Sequence, residues 1–332
     1  MRPRIDLDED VVRRNARRWR EHAGVPVWAV VKADGYGWGA ARLMRALQDD
    51  VDGFFLADAD EARRVRGFSR RPIALLAEAP IDQTATLLDD GVIPNVASLD
   101  SLVAAAGWAK RRRYPARIRV GIVPAAGWSG LLDDAIDPFA RAAAALPVEI
   151  QLWTHLTAPE LWVSQTEHFE SARRRFEAAG ARVTGVDVAG SLAAAARPRS
   201  LDSLVRIGIG LFGAFRDDLE CAVRIEAPVT AVLRSDAVPS AGYRLPERVS
   251  KPWLAIVRSG YSDGLSLRLA GTNNIVSIGM QYAVLARNEP ERVGQTLRLL
   301  DASSNLCMFL ENTGISPHEF IVGLRHTEAE RL

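Results

Sequence analysis

The chain is poor in lysine. Of its 42 basic side chains only Lys32, Lys110 and Lys251 are lysines, which leaves 39 arginines among 332 residues. Arginine stays protonated and cannot form a Schiff base, so chemistry that needs a neutral amine must choose among three positions. Cysteine is scarcer still: Cys221 and Cys307 are too few for a disulfide framework or a structural zinc site. Neither charge is in excess. With 42 Lys+Arg against 41 Asp+Glu, a formal +1 offers no global field for a polyanion, and nucleic-acid binding is not expected. No apolar run approaches the ~18 residues of a membrane span, and Met1-Arg2-Pro3-Arg4-Ile5-Asp6-Leu7-Asp8 lacks the apolar stretch of a signal peptide; a cytoplasmic protein is expected.

What is present, 48% hydrophobic and 25% charged, suffices for one large or two ordinary domains. An acid-led helix over 8–22, stopped by Gly24, leads into a strand at 25–31. Further strands are predicted at 53–57, 72–77, 92–96, 117–123, 148–154, 183–188 and 204–209. Helices between them are predicted at 60–66, 99–108, 134–145, 164–179 and 192–196. Eight strands alternating with helices over about 200 residues predict a parallel α/β architecture, most simply a (β/α)8 TIM barrel. After residue 222 the pattern changes to short β-rich runs at 227–233, 253–257, 275–278, 282–286, 297–300 and 307–310, broken by Gly, Pro, Asn and Ser. The expected division is a barrel over 10–221 and a mostly β domain over 222–332. No repeat or coiled-coil heptad occurs, and the arginine runs at 13–20 and 110–113 read as solvated helix faces.

Lys32 closes the apolar run Val27-Trp28-Ala29-Val30-Val31 and opens Ala33-Asp34-Gly35-Tyr36-Gly37-Trp38-Gly39. A lysine at the C-terminal end of an early barrel strand faces the barrel mouth, where low dielectric favours the neutral, nucleophilic amine. A snorkelling strand-end lysine is the competing interpretation. Lys110 stands among arginines and Lys251 before Pro252, and neither is a serious rival. Gly208, Gly210 and Gly213 in Arg206-Ile207-Gly208-Ile209-Gly210-Leu211-Phe212-Gly213 match G-x-G-x-x-G, with Asp236 beyond, so a dinucleotide site must be weighed. Residues 214–225 leave little room for its crossover helix. At the end of a late barrel strand the same backbone N–H groups would instead cradle one phosphate, to which Ser191 can add a hydroxyl. His155 ends the 148–154 strand and should also face the mouth, where its company decides between core and chemistry. Tyr261, in Gly260-Tyr261-Ser262-Asp263-Gly264, is either ordinary turn chemistry or a general acid/base.

Taken together and in order, these segments resemble the alanine racemase family. Val30-Val31-Lys32-Ala33-Asp34-Gly35-Tyr36-Gly37-Trp38-Gly39 resembles its pyridoxal-phosphate lysine motif, Thr154-His155-Leu156 its histidine strand, Val205 to Gly213 its arginine and phosphate turn, and Gly260 to Gly264 its tyrosine motif. The likeness covers roughly residues 3 to 285, including Ile5-Asp6-Leu7-Asp8 and the helix around Gln165 to Phe176. It implies fold-type III pyridoxal 5'-phosphate chemistry, a barrel whose companion β domain also takes residues 1–9, and a homodimer that brings Tyr261 of one subunit over Lys32 of the other. Lys32 would hold the cofactor and serve as one acid/base, with Tyr261 as the other on the opposite face. Tyr36, Ser191, Gly208 and Ile209 would hold the phosphate, Arg206 would contact the pyridine nitrogen, and His155 would link it to Tyr261. A cationic Arg206 would restrain the electron sink from side reactions.

The resemblance implies a small amino acid or amine as the partner, but the substrate half of the motif set differs. The family's carboxylate-gripping arginine has no counterpart in Arg119 to Gly130, where Trp128 or Ser129 takes its place. Its Met-Asp signature is expected near 288–305, where the chain offers Asp301-Ala302-Ser303-Ser304-Asn305. Trp38 stands where the family has histidine, and the family's final tyrosine-bearing segment is missing before Leu332. Losing a bidentate carboxylate contact costs ~1.5–3 kcal/mol of binding. The leading expectation is amino-acid racemisation or epimerisation through Cα deprotonation. The alternatives are decarboxylation, elimination or amine processing on another substrate, and a catalytically silent cofactor carrier.

Overall fold

The computed structural model describes residues 2–125, 128–196, 203–238 and 249–324. Its strands, in chain order, are β1 (Arg4–Leu7), β2 (Val27–Val30), β3 (Gly53–Leu56), β4 (Ile73–Glu78), β5 (Val92–Asn95), β6 (Ala116–Gly121) and β7 (Val148–Trp153). They continue as β8 (Val183–Asp187), β9 (Val205–Ile207), β10 (Val223–Arg234), β11 (Trp253–Val257), β12 (Ile275–Ile278), β13 (Ala283–Arg287) and β14 (Thr296–Leu300). The chain forms two compact units. One comprises Ala16–Gly35 and Gly39–Gly208; the other comprises Met1–Asn15, Tyr36–Trp38 and Ile209–Leu332.

The first unit is the (β/α)8 barrel. Its sheet runs β8-β7-β6-β5-β4-β3-β2-β9 with every neighbour parallel. A single parallel bridge, Gly190 to Arg206, joins the ends of that order and brings the ring close to closure. Helices cover the outside, so strands are buried on both faces and read as continuous apolar runs, Val-Trp-Ala-Val in β2 and Gly-Phe-Phe-Leu in β3. Helix starts follow capping chemistry. Asp58 accepts from Asp60 and Glu61 N–H ahead of the helix Ala59–Val65, and Ser98 accepts from Ser101 N–H ahead of Leu99–Arg112. Between helices and strands lies a core that includes Phe139, Phe169 and Phe176 against Ile118, Ile150 and Leu152.

The second unit is the mostly β part. Its antiparallel sheet has the order β1-β10-β11-β13-β12, with β14 also on β10. The long β10 pairs through its first half with β1 and β14 and through its second half with β11, so it ties the sheet together. Asn15 fixes the start of the chain to this unit: its amide donates to the Leu211 and Glu220 carbonyls at 3.0 and 2.7 Å and accepts from Glu220 N–H at 3.0 Å. Residues 307–310, expected as a β run, are helical instead, within Leu306–Leu310. Asn305 caps that helix by accepting from Met308 N–H at 3.0 Å, and the spacing of buried Leu306, Phe309 and Leu310 is helical, not alternating. The helices Ala40–Leu47, Thr84–Asp89 and Pro317–Gly323 were not predicted from the sequence. Both cysteines are free, and burial pushes the Cys221 thiol up to about 12. No helix among the described residues is long and apolar enough to cross a membrane.

Gly53 lies where the barrel wall leaves no room for a side chain. A Cβ there would lie 2.4–2.6 Å from ring atoms of Trp28 on the adjacent β2. Gly53→Ala is therefore expected to lower unfolding stability by roughly 1–3 kcal/mol in a urea titration; an unchanged midpoint would show that the Trp28 ring yields freely.

Candidate active site

Lys32 stands just past β2, after Val31, whose N–H donates to the Phe55 carbonyl at 2.9 Å. The chain then makes a left-handed turn: Ala33, Asp34, Gly35 and Tyr36 have φ of 54°, 50°, 65° and 61°. Each non-glycine residue in that region costs about 1–2 kcal/mol, and a specific set of bonds holds the turn. Asp34 Oδ1 accepts from Ala40 N–H at 2.8 Å, and the Asp34 carbonyl accepts from Gly39 N–H at 2.8 Å. Glu61 spans the end of β3 and the turn, accepting from Ala57 N–H at 2.8 Å and Asp34 N–H at 3.3 Å. A side chain at Gly35 would strike Leu43 Cδ1 at 2.8 Å. The Lys-Ala-Asp-Gly sequence is thus the signature of a strained turn that presents Lys32. Burial, and secondarily the charge of Arg206, hold its amine below the ordinary lysine range, while Glu61 pulls the other way.

Arg206, on β9, lies in a charge cluster that the sequence reading missed. Arg119 on β6 and Asp187 on β8 are fully buried, and Arg206 is 4% exposed. Arg119 Nη1 and Nη2 donate to the two Asp187 oxygens at 3.0 and 3.2 Å, and Gln151 Nε2 donates to Oδ2 at 2.8 Å. Arg206 Nε lies 2.7 Å from Asp187 Oδ1, an ion-pair distance at an angle outside hydrogen-bond geometry. Its Nη2 donates to the backbone carbonyls of Thr154 and Val188. The available signal was an arginine inside the mostly apolar run of β6 and an aspartate closing β8.

His155 follows β7 and its ring stacks on the Trp128 indole, with centroids 4.4 Å apart at 21°. Gly190 leaves room for it, since a Cβ there would sit 2.7 Å from His155 Cε1. Ser191 Oγ accepts from Gly208 N–H at 3.1 Å, so the hydroxyl and the end of β9 meet as expected. After Gly208 the chain enters a 3-10 turn, Ile209–Phe212, and then β10 of the antiparallel sheet. No β-α-β crossover follows the glycines, and the dinucleotide reading has no structural footing. Gly213 serves packing: at φ 102° its Cβ would meet the Glu220 carbonyl oxygen at 2.4 Å.

Tyr36, Ile209 and Tyr261 belong to the other compact unit. Tyr36 is buried edge-on to Phe212, with ring centroids 5.6 Å apart, and burial pushes its phenol up, so it remains a proton donor. Tyr261 is 43% exposed in a turn fixed by Asp263, which accepts from Gly260 N–H at 2.9 Å and pairs with Arg258 at 2.9 Å. The backbone laid against this turn is Gly279–Met280, whose carbonyls accept from Tyr261 and Ser262 N–H at 3.0 and 2.9 Å. Asp301 to Asn305, the stretch the chain offers in the place of the family's Met-Asp signature, follow β14. Asp301 and Ser303 line a cavity of about 370 Å³ with Asp8, Cys221 and Arg224. The indole of Trp38 donates to the Ile321 carbonyl at 3.3 Å, a packing role within the same unit.

A depressed lysine amine at the end of an early barrel strand, under the charge of an arginine on a late one, is the pattern of lysine-dependent barrel enzymes. Residues 7–215 match the family description "Alanine racemase, N-terminal domain". The chain is similar to an alanine racemase of Beutenbergia cavernae, 31% identical over 310 residues that cover 85% of this chain and 80% of that one. Among solved structures, it superposes on alanine racemase from D-cycloserine-producing Streptomyces lavendulae with a TM-score of 0.79 and 20% identity, covering 98% of this chain and 95% of that one. Alanine racemase from Bartonella henselae, with covalently bound pyridoxal phosphate, gives 0.79 and 22%, covering 98% and 97%. The chain belongs to the alanine racemase family.

The depressed amine sets a pH test. A lowered pKa populates the neutral Lys32 amine at a lower pH than an ordinary lysine requires. Limited acylation near neutral pH, read by peptide mass spectrometry, should therefore modify Lys32 first; equal labelling of all three lysines would contradict the assignment.

Proposed function

We propose that this chain racemises or epimerises an amino acid by Cα proton exchange, with Lys32 and Tyr261 as opposed acid/bases. As an alanine racemase-type protein it is a pyridoxal-phosphate-dependent enzyme of the isomerase class. The residues present fit that cofactor. Lys32 has a depressed amine to carry it, Ser191 and Gly208 meet at a strand end suited to phosphate, and Tyr36 keeps its phenolic proton. In this reading Tyr36, Ser191, Gly208 and Ile209 would hold the phosphate, Arg206 would contact the ring nitrogen, and His155 would link Arg206 to Tyr261. Bound there, the cofactor supplies an electron sink for the charge left when a Cα proton departs. Lys32 and Tyr261 move that proton: one removes it from one face and the other returns a proton to the opposite face, which inverts the centre. The observation that carries the reading is the Lys32 turn beside Arg206.

The same reading makes the protein a homodimer in which Tyr261 of one copy works over Lys32 of the other. Its support is the exposure of Tyr261 together with that of Met280 and Tyr282 beside it. One observation favours another substrate class: Trp128 stacked on His155 occupies the segment expected to carry a carboxylate-binding arginine. A flat aromatic wall selects an apolar or bulky group rather than a carboxylate. Decarboxylation, elimination or amine processing is then the second reading.

Purified protein loaded with pyridoxal phosphate should show a visible band that Lys32→Ala abolishes. In deuterated water, NMR with a panel of D- and L-amino acids should show Cα–H exchange with inversion, and Tyr261→Phe should slow inversion at least tenfold while the band persists. Exchange without inversion would remove Tyr261 from its role; a band with no exchange on any amino acid would favour the second reading.

A further inference from the structure

Arg119, Asp187 and Arg206 form a buried cluster of two cations and one anion, of which the reaction above uses only Arg206. We propose that Arg119 and Asp187 are positioning residues that set the charge Arg206 presents to the cofactor. Asp187 anchors the Arg206 guanidinium, and Arg119 offsets Asp187 so that the charge of Arg206 is not cancelled. This inference rests on the cofactor reading given under Proposed function.

The geometry supports each half. Both oxygens of Asp187 are already met by the fork of Arg119 and by Gln151 before Arg206 is counted. Arg119 cannot swing away. Its guanidinium lies over Phe55 at 4.4 Å and Trp153 at 5.1 Å, and Trp153 is pinned by its Nε1–H to Asn95 Oδ1 at 2.9 Å. Arg206 is held over the same Trp153 ring at 5.2 Å, and its Nη2 is committed to two backbone carbonyls. Planar bidentate pairing of this kind fixes orientation as well as charge. The cluster therefore carries one surplus positive charge in a water-excluded barrel interior, where Coulomb terms are strong. The Lys32 amine is lowered first by burial and then by the charge of Arg206, with Glu61 acting in the opposite direction.

Substitutions change the surplus in opposite senses. Asp187→Asn raises it from one to two, and Arg119→Met lowers it to zero. With pyridoxal phosphate as the added probe, the readout is the pH midpoint of the visible band of the Lys32-bound cofactor, taken on protein whose folding is checked by circular dichroism and thermal melting. Asp187→Asn should lower the midpoint and Arg119→Met should raise it, each by about one pH unit. Arg119→Lys, which keeps the charge, should leave it near the wild-type value. A purely structural role would lower melting temperatures without splitting the midpoints in two directions. Folded variants whose midpoints stay put, or move the same way, would overturn the proposal. If Arg119→Met does not fold, Asp187→Asn against Arg119→Lys decides: a fall in the first alone supports the proposal, and equal behaviour overturns it. A wild-type protein that gains no band would sink the cofactor reading and this inference together, whereas a wild-type band with unmoved variants sinks this inference alone.

Discussion

The barrel depends on Arg206 at two levels. Its backbone makes the bridge to Gly190 that joins β9 to the end of β8, bringing the parallel ring close to closure. Its side chain enters the ion cluster with Asp187 and Arg119, drawn from β8 and β6. Closing a ring of eight strands fills its interior with side chains, and charges there persist only when paired and hydrogen-bonded. Here the pairing is supplied across strands, by one carboxylate shared between two guanidiniums and an amide. The same constraint that permits a charged barrel interior also holds Arg206, whose charge adds to burial in lowering the Lys32 amine.

A second constraint acts on the backbone. The left-handed turn after Lys32 is costly in isolation and is sustained by Asp34, Glu61 and the crowding that excludes a side chain at Gly35. Strain stored beside Lys32 gives a physical sense to a short motif: the glycines and the aspartate shape the loop that presents the lysine. In the β unit Asp263 plays a comparable part, holding the Gly260 turn so that Tyr261 projects outward.

The fold was legible because its signals are local and repeated. Apolar runs of strand length alternate with amphipathic stretches, and the shift after residue 222 marks β10 and its partners. Errors arose where local signals conflict. In β10, Arg224 and Glu226 alternate with buried Val223, Ile225 and Ala227, so its polar first half was left out of the predicted run. At Leu306–Leu310, an apolar stretch too short to show its period was read as strand until the Asn305 cap settled it. The candidate site could be read from the sequence where a motif lies within a few residues, as at Lys32, Tyr36, Arg206 and Tyr261. Glu61, Arg119, Gln151 and Asp187 were not, because each is defined by a partner up to 68 residues away.

The sequence by itself determined the alternation that builds the barrel, the single plausible lysine, and the family to which these motifs belong. Only the tertiary structure decided what surrounds them: that Asp187 is shared between two arginines, that Trp128 lies on His155, and that Gly279–Met280 backs the Tyr261 turn. The reason is physical. Periodicity and turn chemistry are properties of neighbouring residues, whereas charge pairing, ring stacking and exclusion of water arise only when a closed sheet brings distant strands together.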